Sequence, residues 1–525
     1  MTKVEAPRTT LEFELARYPE INRFALDLVE GRGEASRFCR RPLLDEIAPR
    51  EASPPSDGLA AALIDSNAGW GNEVGDLVRS WSEGRGVAIV AGQQVGFGGG
   101  PLYTIAKLAS LLALRGRLAE RGIDAVPFFW LATEDHDYEE VSSLLFQSGA
   151  DLTYLSSAPA ARGRRPVGGL EVPEPLRDGL AAKLDMRPRW LRPGITFRDS
   201  FAELITDTVG AGTVVLVDSL LPELRRAGGP LFRSIAERLP EIESAIDASS
   251  QELVDAGYRP QVSRRRGAGY SLLYTLERDG AREQVDVHEA GVSIAGRRRP
   301  LGDLLARIGS APESISTGVL ARPLLQDFAL RPAIFVGGPA EVSYYAQLPL
   351  VHEMLGVERP AIALRGHVLV APARRLRALE RYGFHPADMF APLDRAVADR
   401  EVEAGKRIDT ISGRARAAVE EAARALEQIT AEADPALPRS LRKSARRIEY
   451  HLGKMRERSR RATARLDEER WRALSQLQRI LYPRGSVQDR VAGWIGWWSL
   501  WRDGMIPRLT AEVRADAPIV RIAGF

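Results

Sequence analysis

Val87–Glu140 reads VAIVAGQQVGFGGGPLYTIAKLASLLALRGRLAERGIDAVPFFWLATEDHDYEE, and the fold class is decided here. Val87 to Val90 is a short apolar run closed by Ala91-Gly92, the pattern of a strand buried on both faces. Gln93 to Gly100 holds four glycines in eight residues, and Pro101 then stands where a helix can begin. From Leu102 to Leu118, Leu, Ile and Ala recur at three- and four-residue spacing, which predicts a helix. A second apolar run, Val126 to Leu131, ends in Thr133-Glu134-Asp135-His136-Asp137. Strand, glycine loop, helix, strand and acidic loop make one βαβ unit. Its two chemically rich loops follow the C-terminal ends of strands, where open α/β sheets bind ligands.

Gly96, Gly98, Gly99 and Gly100 allow positive φ and a close approach of backbone to ligand. Free N–H groups ahead of a helix favour an anion. The spacing matches neither G-x-G-x-x-G nor the P-loop, so an anion site and a plain tight turn both stay open. Gln93, Gln94, Tyr103 and Thr104 bring amides and hydroxyls to the same place, either for a ligand or only to cap the helix. The acidic loop puts five carboxylates and one imidazole into the seven residues Glu134 to Glu140. Asp135, His136 and Asp137 suit a general base or capture of an amine, and Glu134 with Asp135 suits Mg²⁺ held together with substrate phosphates. The alternative is a solvated acidic helix start favoured by the helix dipole. His136 has no neighbouring Cys or His in sequence to build a zinc site.

At 525 residues the chain exceeds one core and predicts several domains. Lys plus Arg, 73, against Asp plus Glu, 70, leaves a net charge of +3, which gives no argument for nucleic acid as a partner. The one cysteine, Cys39, excludes an intrachain disulfide, fits a reducing cytoplasm and reads as a small buried residue. The first twenty residues lack an apolar signal region, and no run of about 18 apolar residues predicts a membrane span.

Residues 1–82 read as a helical lead-in packed on the core, broken at Pro54-Pro55-Ser56-Asp57-Gly58. Residues 83–385 read as a Rossmann-like parallel-sheet core with insertions at about 150–205 and 259–312. Gly168 to Val172 has the look of a strand in the first insertion, and Thr213 to Asp218 of a buried core strand. In the second insertion, Tyr270 to Leu276, Glu283 to His288 and Gly291 to Ile294 predict a small meander. Arg264-Arg265-Arg266 and Arg297-Arg298-Arg299 flank it as solvated charge runs, with contact to an anionic ligand as the other reading. Ala333 to Val336 and Gly337-Gly338-Pro339 then repeat the design of strand, glycine turn, proline and helix, with Tyr344 in the helix.

Residues 386–482 read as an arm. Ile408, Ala415, Ala422 and Ile429 repeat every seven residues, with Ile411, Ala418 and Ala425 between them. After a break at Asp434 to Pro438, Leu441, Ile448, Met455 and Ala462 repeat in the same way, with Ala445, Leu452 and Leu466 at the other seam position. This predicts an antiparallel coiled-coil arm, used for dimerisation or as a spacer. Residues 483–525 form a Trp-rich segment in which Trp494, Trp497, Trp498 and Trp501 anchor it to the arm or core.

AGQQVGFGGGPLYTIAK followed by FFWLATEDHDYEEV closely resembles the bacillithiol biosynthesis cysteine-adding enzymes. The resemblance recurs at Ser316 to Leu348, STGVLARPLLQDFALRPAIFVGGPAEVSYYAQL, and more loosely at LYPRGSVQDRV, Leu481 to Val491. It spans most of the chain in the right order. It implies a cytoplasmic ligase that forms an amide between L-cysteine and the amino group of glucosaminyl-malate, the last step of bacillithiol formation. It also implies a Rossmann-like fold of the class I synthetase and nucleotidylyltransferase kind.

An amide does not form usefully in water from a free acid, so ATP and Mg²⁺ are the expected cofactors, through an acyl-adenylate or an acyl-phosphate. No HIGH or KMSKS signature is present to choose between them. On this reading the Gln93–Thr104 loop, with Gly99 and Gly100, and the Gly337-Gly338-Pro339 loop with Tyr344 frame the substrate pocket. Lys107, Arg322 and Arg331 are candidates to hold the malate carboxylates. A homodimer through the arm is expected, with small-molecule substrates, no nucleic acid and no membrane. The alternatives are another α/β transferase acting on a sugar or nucleotide, and a non-catalytic coiled-coil scaffold.

Overall fold

The computed structural model describes residues 10–48, 58–148, 151–157, 164–264, 269–288, 291–393, 402–430, 434, 436–464 and 468–524. The break at Pro54 to Asp57, Arg265 and Arg266, the start of the arm near Asp394, Pro435 in its turn, and Leu466 lie outside them. The chain divides into two compact units, Glu12–Leu369 with Gln488–Ile522, and Val370–Val487 with short pieces of both ends.

The βαβ unit lies at the centre of the larger unit. Strand β1 (Val87–Gln93) leads through a 3-10 turn at Phe97–Gly99 into helix α1 (Leu102–Ala119), and the chain returns as strand β2 (Ala125–Leu131). All seven residues of β2 are buried, as a strand with a layer on each face requires. Strands β3 (Val215–Asp218), β4 (Ile334–Gly337) and β5 (Ala361–Leu364) complete a five-stranded parallel sheet in the order β5-β4-β1-β2-β3. The order reverses between β1 and β4, and a crevice opens there at the strands' C-terminal ends.

The lead-in covers one edge of this sheet. In helix Leu59–Gly69, Asn67 donates from Nδ2 to the Leu216 carbonyl at 2.8 Å and accepts from the Leu216 N–H at 3.0 Å. The side chain thus stands in for a neighbouring strand beside β3.

The first insertion differs from its sequence reading. Gly168 to Val172 is not a strand but a 3-10 turn at Val167–Gly169 and an isolated bridge between Glu171 and Thr196. The Val167 N–H bonds the Asp135 carbonyl at 2.6 Å and the Gly168 N–H bonds the Thr133 carbonyl at 3.0 Å. A side chain at Gly168 would collide with Thr133, so the glycines serve a turn that braces the acidic loop. An unforeseen hairpin, Ser143–Ser148 with Asp151–Ser156, precedes it, and Ala492–Gly493 of the Trp-rich segment adds parallel to its first strand.

The second insertion is the predicted meander, Leu273–Leu276, Arg282–His288 and Gly291–Ile294, extended by two edge strands. One edge is Arg297–Arg299, fully exposed, and charged edges resist further strand pairing. The other is Ile315–Thr317, buried, paired to Leu273–Thr275 and facing the crevice.

In the smaller unit, helices Val402–Thr430 and Leu437–Ala464 pack together as the coiled coil, with Asp409 paired to Arg456 and Arg460. Gln478 in helix Glu468–Leu481 donates to the carbonyls of Met389 and Ala391. No helix of the described residues is long and apolar enough to cross a membrane.

Candidate active site

A cavity of about 500 Å³ fills the crevice at the switch point. Its floor is the end of β1. Gly92 must be glycine there, because a Cβ would lie 2.8 Å from the Cβ of Trp130 on the next strand. Lys107 rises buried from α1, and its Nζ donates to the Gly92 carbonyl at 2.7 Å and Gln93 Oε1 at 2.9 Å, and pairs with Glu341 Oε2 at 2.5 Å. Burial pushes the Lys107 ammonium below its ordinary range, and Glu341 opposes that. Glu341 also accepts the Gly338 N–H at 2.8 Å, so it closes the helix start after β4. Lys107 lines the cavity, but its charge is met by Glu341 rather than left for a ligand.

The acidic loop forms a second wall, and its carboxylates have separate jobs. Glu134 is buried: its Oε1 accepts the Thr317 hydroxyl at 2.9 Å, and its Oε2 accepts the Ser316 hydroxyl at 2.7 Å, the Thr317 N–H at 3.1 Å and Arg225 Nη2 at 3.3 Å. Asp135 accepts the N–H groups of His136 (2.7 Å) and Asp137 (3.2 Å) on Oδ1, and Gln94 Nε2 at 2.5 Å on Oδ2. Gln94 thereby ties the glycine loop to the acidic loop. Among the described residues no three His, Cys, Asp or Glu side chains group as a metal site. Glu134, expected with Asp135 as a magnesium ligand, is committed to protein donors as folded, whereas the Asp135 carboxylate is about one-third exposed at the cavity wall.

His136 is 35% exposed and faces the cavity, with Nδ1 2.9 Å from Arg282 Nη1. Burial pushes its imidazole below the ordinary range, and the Arg282 charge adds to this.

A third wall is cationic. Arg322 donates to the Tyr344 hydroxyl and, at 3.1 Å, to Gln326 Oε1. It has no carboxylate partner within salt-bridge distance among the described residues. Burial pushes the Tyr344 phenol up, and the Tyr103 phenol to about 12, so both are neutral hydrogen-bonding groups at pH 7. Arg365 pairs with buried Asp489 at 2.8 Å, and its guanidinium stands 5.6 Å from the Tyr103 ring centre. Arg490 reaches the rim half-exposed, 3.4 Å from Glu20.

Of the expected residues, Gln93, Gln94, Tyr103, Lys107, Glu134, Asp135, His136, Arg322, Gly338 and Tyr344 line this one cavity. Gly99, Gly100, Thr104, Asp137, Arg331 and Gly337 do not. Gly99, at φ 86°, is pressed against the Trp494 indole, whose Nε1 donates to the Gly99 carbonyl at 3.0 Å. Pro101, next to Gly100, bridges Gly493. Gly99 therefore admits the Trp-rich segment, which anchors on the core here, while Gly98 makes room for Leu144 of the hairpin. Thr104 is buried with Oγ1 unpartnered, Asp137 caps the short helix Tyr138–Val141, and Arg331 ends helix Ala321–Leu330 in a left-handed conformation. Gly337 gives its carbonyl to the Arg365 N–H at 2.8 Å.

Sequence reasoning missed Arg365, Glu341, Arg490, Arg282 and Thr317. Arg365 stands at the C-terminal end of β5, where position alone marks it. Arg282 left no signal, because only the register of the insertion sheet brings it to the cavity. Of the described residues in the two arginine triplets, Arg264 and Arg297–Arg299, none lines the cavity, and Arg264 pairs with Asp247 and Glu243 instead.

Cys39 is buried, and burial pushes its thiol up to about 12, which leaves it unreactive.

Comparison with known proteins bears on both units. Residues 41–366 match the family model "Bacillithiol biosynthesis BshC, N-terminal Rossmann-like domain", and residues 368–515 match its C-terminal coiled-coil domain. A protein of Solibacter usitatus named "Putative cysteine ligase BshC" is 31% identical over 492 residues, 90% of this chain and 91% of that protein. Proteins of the same name from Koribacter versatilis and Bacillus licheniformis are 31% and 26% identical, over 77% and 66% of this chain and 78% and 68% of their own.

Proposed function

The chain belongs to the BshC family of bacillithiol biosynthesis, and on that premise we propose that it is a cytoplasmic ligase joining L-cysteine to the amino group of glucosaminyl-malate. The observation that carries this reading is the opposition of two walls in one cavity. Arg322, which has no carboxylate within salt-bridge distance among the described residues, faces a loop bearing Asp135 and His136. A dicarboxylate at one end and an amine at the other suit those walls. Arginine holds carboxylates in a planar fork, and Asp135 attracts an ammonium group. Arg490 adds charge at the rim, while Gln93, Tyr103 and Tyr344 offer neutral hydrogen bonds.

Amide formation needs the cysteine carboxyl activated, and ATP with Mg²⁺ supplies that activation. Mg²⁺ binds chiefly through substrate phosphates and water, so a protein cage is not required of it. The residues here fit the anionic ligand better than they fit the metal. Arg322 is available to an anion, Arg490 is shared with Glu20 at the half-exposed rim, and Glu134 holds the cavity wall.

The protein acts as a homodimer through the arm. Supporting this, Ile411, Ile429, Ile448 and Met455 of the heptad seam remain exposed, Ile429 at 77%, although the two arm helices already pack together. Such residues call for a second surface.

Purified protein incubated with cysteine, glucosaminyl-malate and Mg-ATP is expected to yield the thiol product by mass spectrometry, with none when ATP is omitted. Arg322→Met is expected to raise KM for glucosaminyl-malate by roughly 10–100-fold, the worth of a charged hydrogen bond. Product without ATP would overturn the activation scheme. Turnover of a sugar or nucleotide without cysteine would replace the ligase with a transferase.

A further inference from the structure

Arg282 is a buried arginine with every arm committed. It enters from strand Arg282–His288 of the second insertion. Its Nε donates to Ser316 Oγ at 2.9 Å and its Nη2 to the Thr317 carbonyl at 2.6 Å. Its guanidinium lies 3.8 Å from the centre of the Tyr274 ring. Nη1 meets His136 Nδ1 at 2.9 Å. A guanidinium has donors only and stays charged at any working pH. The atom it meets must therefore be an acceptor, and an imidazole nitrogen accepts only when it carries no proton. That places the single proton of neutral His136 on Nε2, which has no partner among the described residues.

We propose that Arg282 locks His136 as the neutral Nε2–H tautomer, so that His136 is the cavity's hydrogen-bond donor to a developing oxyanion and not its general base. The charges around the ring agree with a neutral imidazole. Burial and Arg282, with Arg164, push its titration down, while Asp135 and Asp137 oppose them. A neutral imidazole can polarise a carbonyl without giving up its proton.

The assignment deepens the ligase reading and rests on it for the step. The substrate amine's lone pair forms the new N–C bond to the activated cysteine carboxyl, and the carbonyl π pair moves to oxygen. His136 Nε2–H hydrogen-bonds that oxyanion and keeps its proton. Collapse restores the carbonyl and expels the activating phosphate or nucleotide with the C–O bond pair. The amine's proton passes to Asp135. Of the three carboxylates lining the cavity among the described residues, Glu134 is paired with Arg225 and Glu341 with Lys107, whereas no described arginine or lysine pairs with Asp135.

The tautomer can be read without substrate, so its failure is separable from failure of the ligase reading. Protein with ¹⁵N-labelled histidine is examined by two-bond ¹H–¹⁵N correlation of the imidazole rings, and His136→Gln identifies the signals of His136. A neutral ring protonated on Nε2 at pH 7 is expected. A ring protonated on Nδ1, or an imidazolium, would overturn the proposal. Arg282→Met should mix the tautomers and raise the titration of His136, and an unchanged ring in a folded variant would remove Arg282 from the account. In turnover, glutamine keeps a donor near the Nε2 position and offers no base at pH 7. His136→Gln should lose about tenfold in kcat while His136→Ala loses about 10²–10³-fold, the effect of deleting an oxyanion donor. Equal losses in the two variants would make His136 the base.

Discussion

Replacing Glu134 by glutamine removes one negative charge from the interior and changes almost no volume. Glu134 is 4% and Arg225 1% exposed, and their side chains meet at 3.3 Å. The other partners of Arg225 are the carbonyls of Ser219, Glu313 and Ile315, so among the described residues Glu134 is its one carboxylate within salt-bridge distance. Burial, with the Arg282 charge, pushes the guanidinium below its ordinary range, and the charges of Glu134 first and Asp218 next oppose that. Glu134→Gln strands that cation and turns an acceptor into an amide that meets donors from Ser316 and Thr317. Breaking a buried pair from one side costs about 3–5 kcal/mol. With m at about 3 kcal/mol/M, the urea midpoint should fall by roughly 1–1.7 M. Trp130, Trp190 and Trp494 are buried in the unit that contains the pair, so tryptophan fluorescence reports it. Glu134→Leu with Arg225→Met removes both charges and should recover part of the loss. A single-variant shift under about 0.5 kcal/mol would refute the reasoning, since backbone carbonyls alone would then satisfy the arginine.

Gly99→Ala would drive a methyl group into the Trp494 indole at a φ of 86°, and a loss of about 1–3 kcal/mol is expected in the same urea titration. An unchanged midpoint would mean that the Trp-rich segment does not press on the glycine turn. Ile429→Glu combined with Met455→Glu should convert a dimer to a monomer in light scattering at micromolar concentration, because both side chains are exposed on the arm. A monomeric parent protein would end the dimer reading. Acid should weaken the fold. Burial first, then Arg365, pushes His367 well below its ordinary value, and burial with Arg282 lowers His136. A depressed folded-state value means that the unfolded chain binds the proton first. The stability these groups contribute is therefore full above about pH 6.5 and is lost as pH falls below it. His367→Phe, which keeps a ring beside Tyr18, should shrink the drop in urea midpoint between pH 7.5 and pH 5.5, and an identical drop would show that His367 does not titrate there.

The parts of this protein legible in sequence are those set by local pattern. β2 is apolar throughout because it is covered on both faces, so its sequence announces it. The arm repeats every seven residues because two helices share one seam. The two loops after β1 and β2 contribute to one cavity because a parallel sheet gathers the C-terminal ends of its strands. The misread elements are those whose partner is distant. Gly168 to Val172 has strand-like composition, yet its N–H groups turn back to Thr133 and Asp135. The glycine turn reads in sequence as either an anion site or a plain tight turn, and only the fold shows Trp494, 395 residues later, against Gly99.

Sequence by itself determined the fold class, the coiled-coil arm and the neighbourhood of the cavity, because periodicity and strand ends are local properties of a chain. Which charges are free in that cavity was decided only by tertiary structure. Lys107 is answered by Glu341, Glu134 by Arg225 and Arg365 by Asp489, while among the described residues Arg322 has no carboxylate, and Asp135 no arginine or lysine, within salt-bridge distance. An ion pair depends on where two distant segments come to rest, and burial then sets whether the surviving charge meets water, a partner or a substrate.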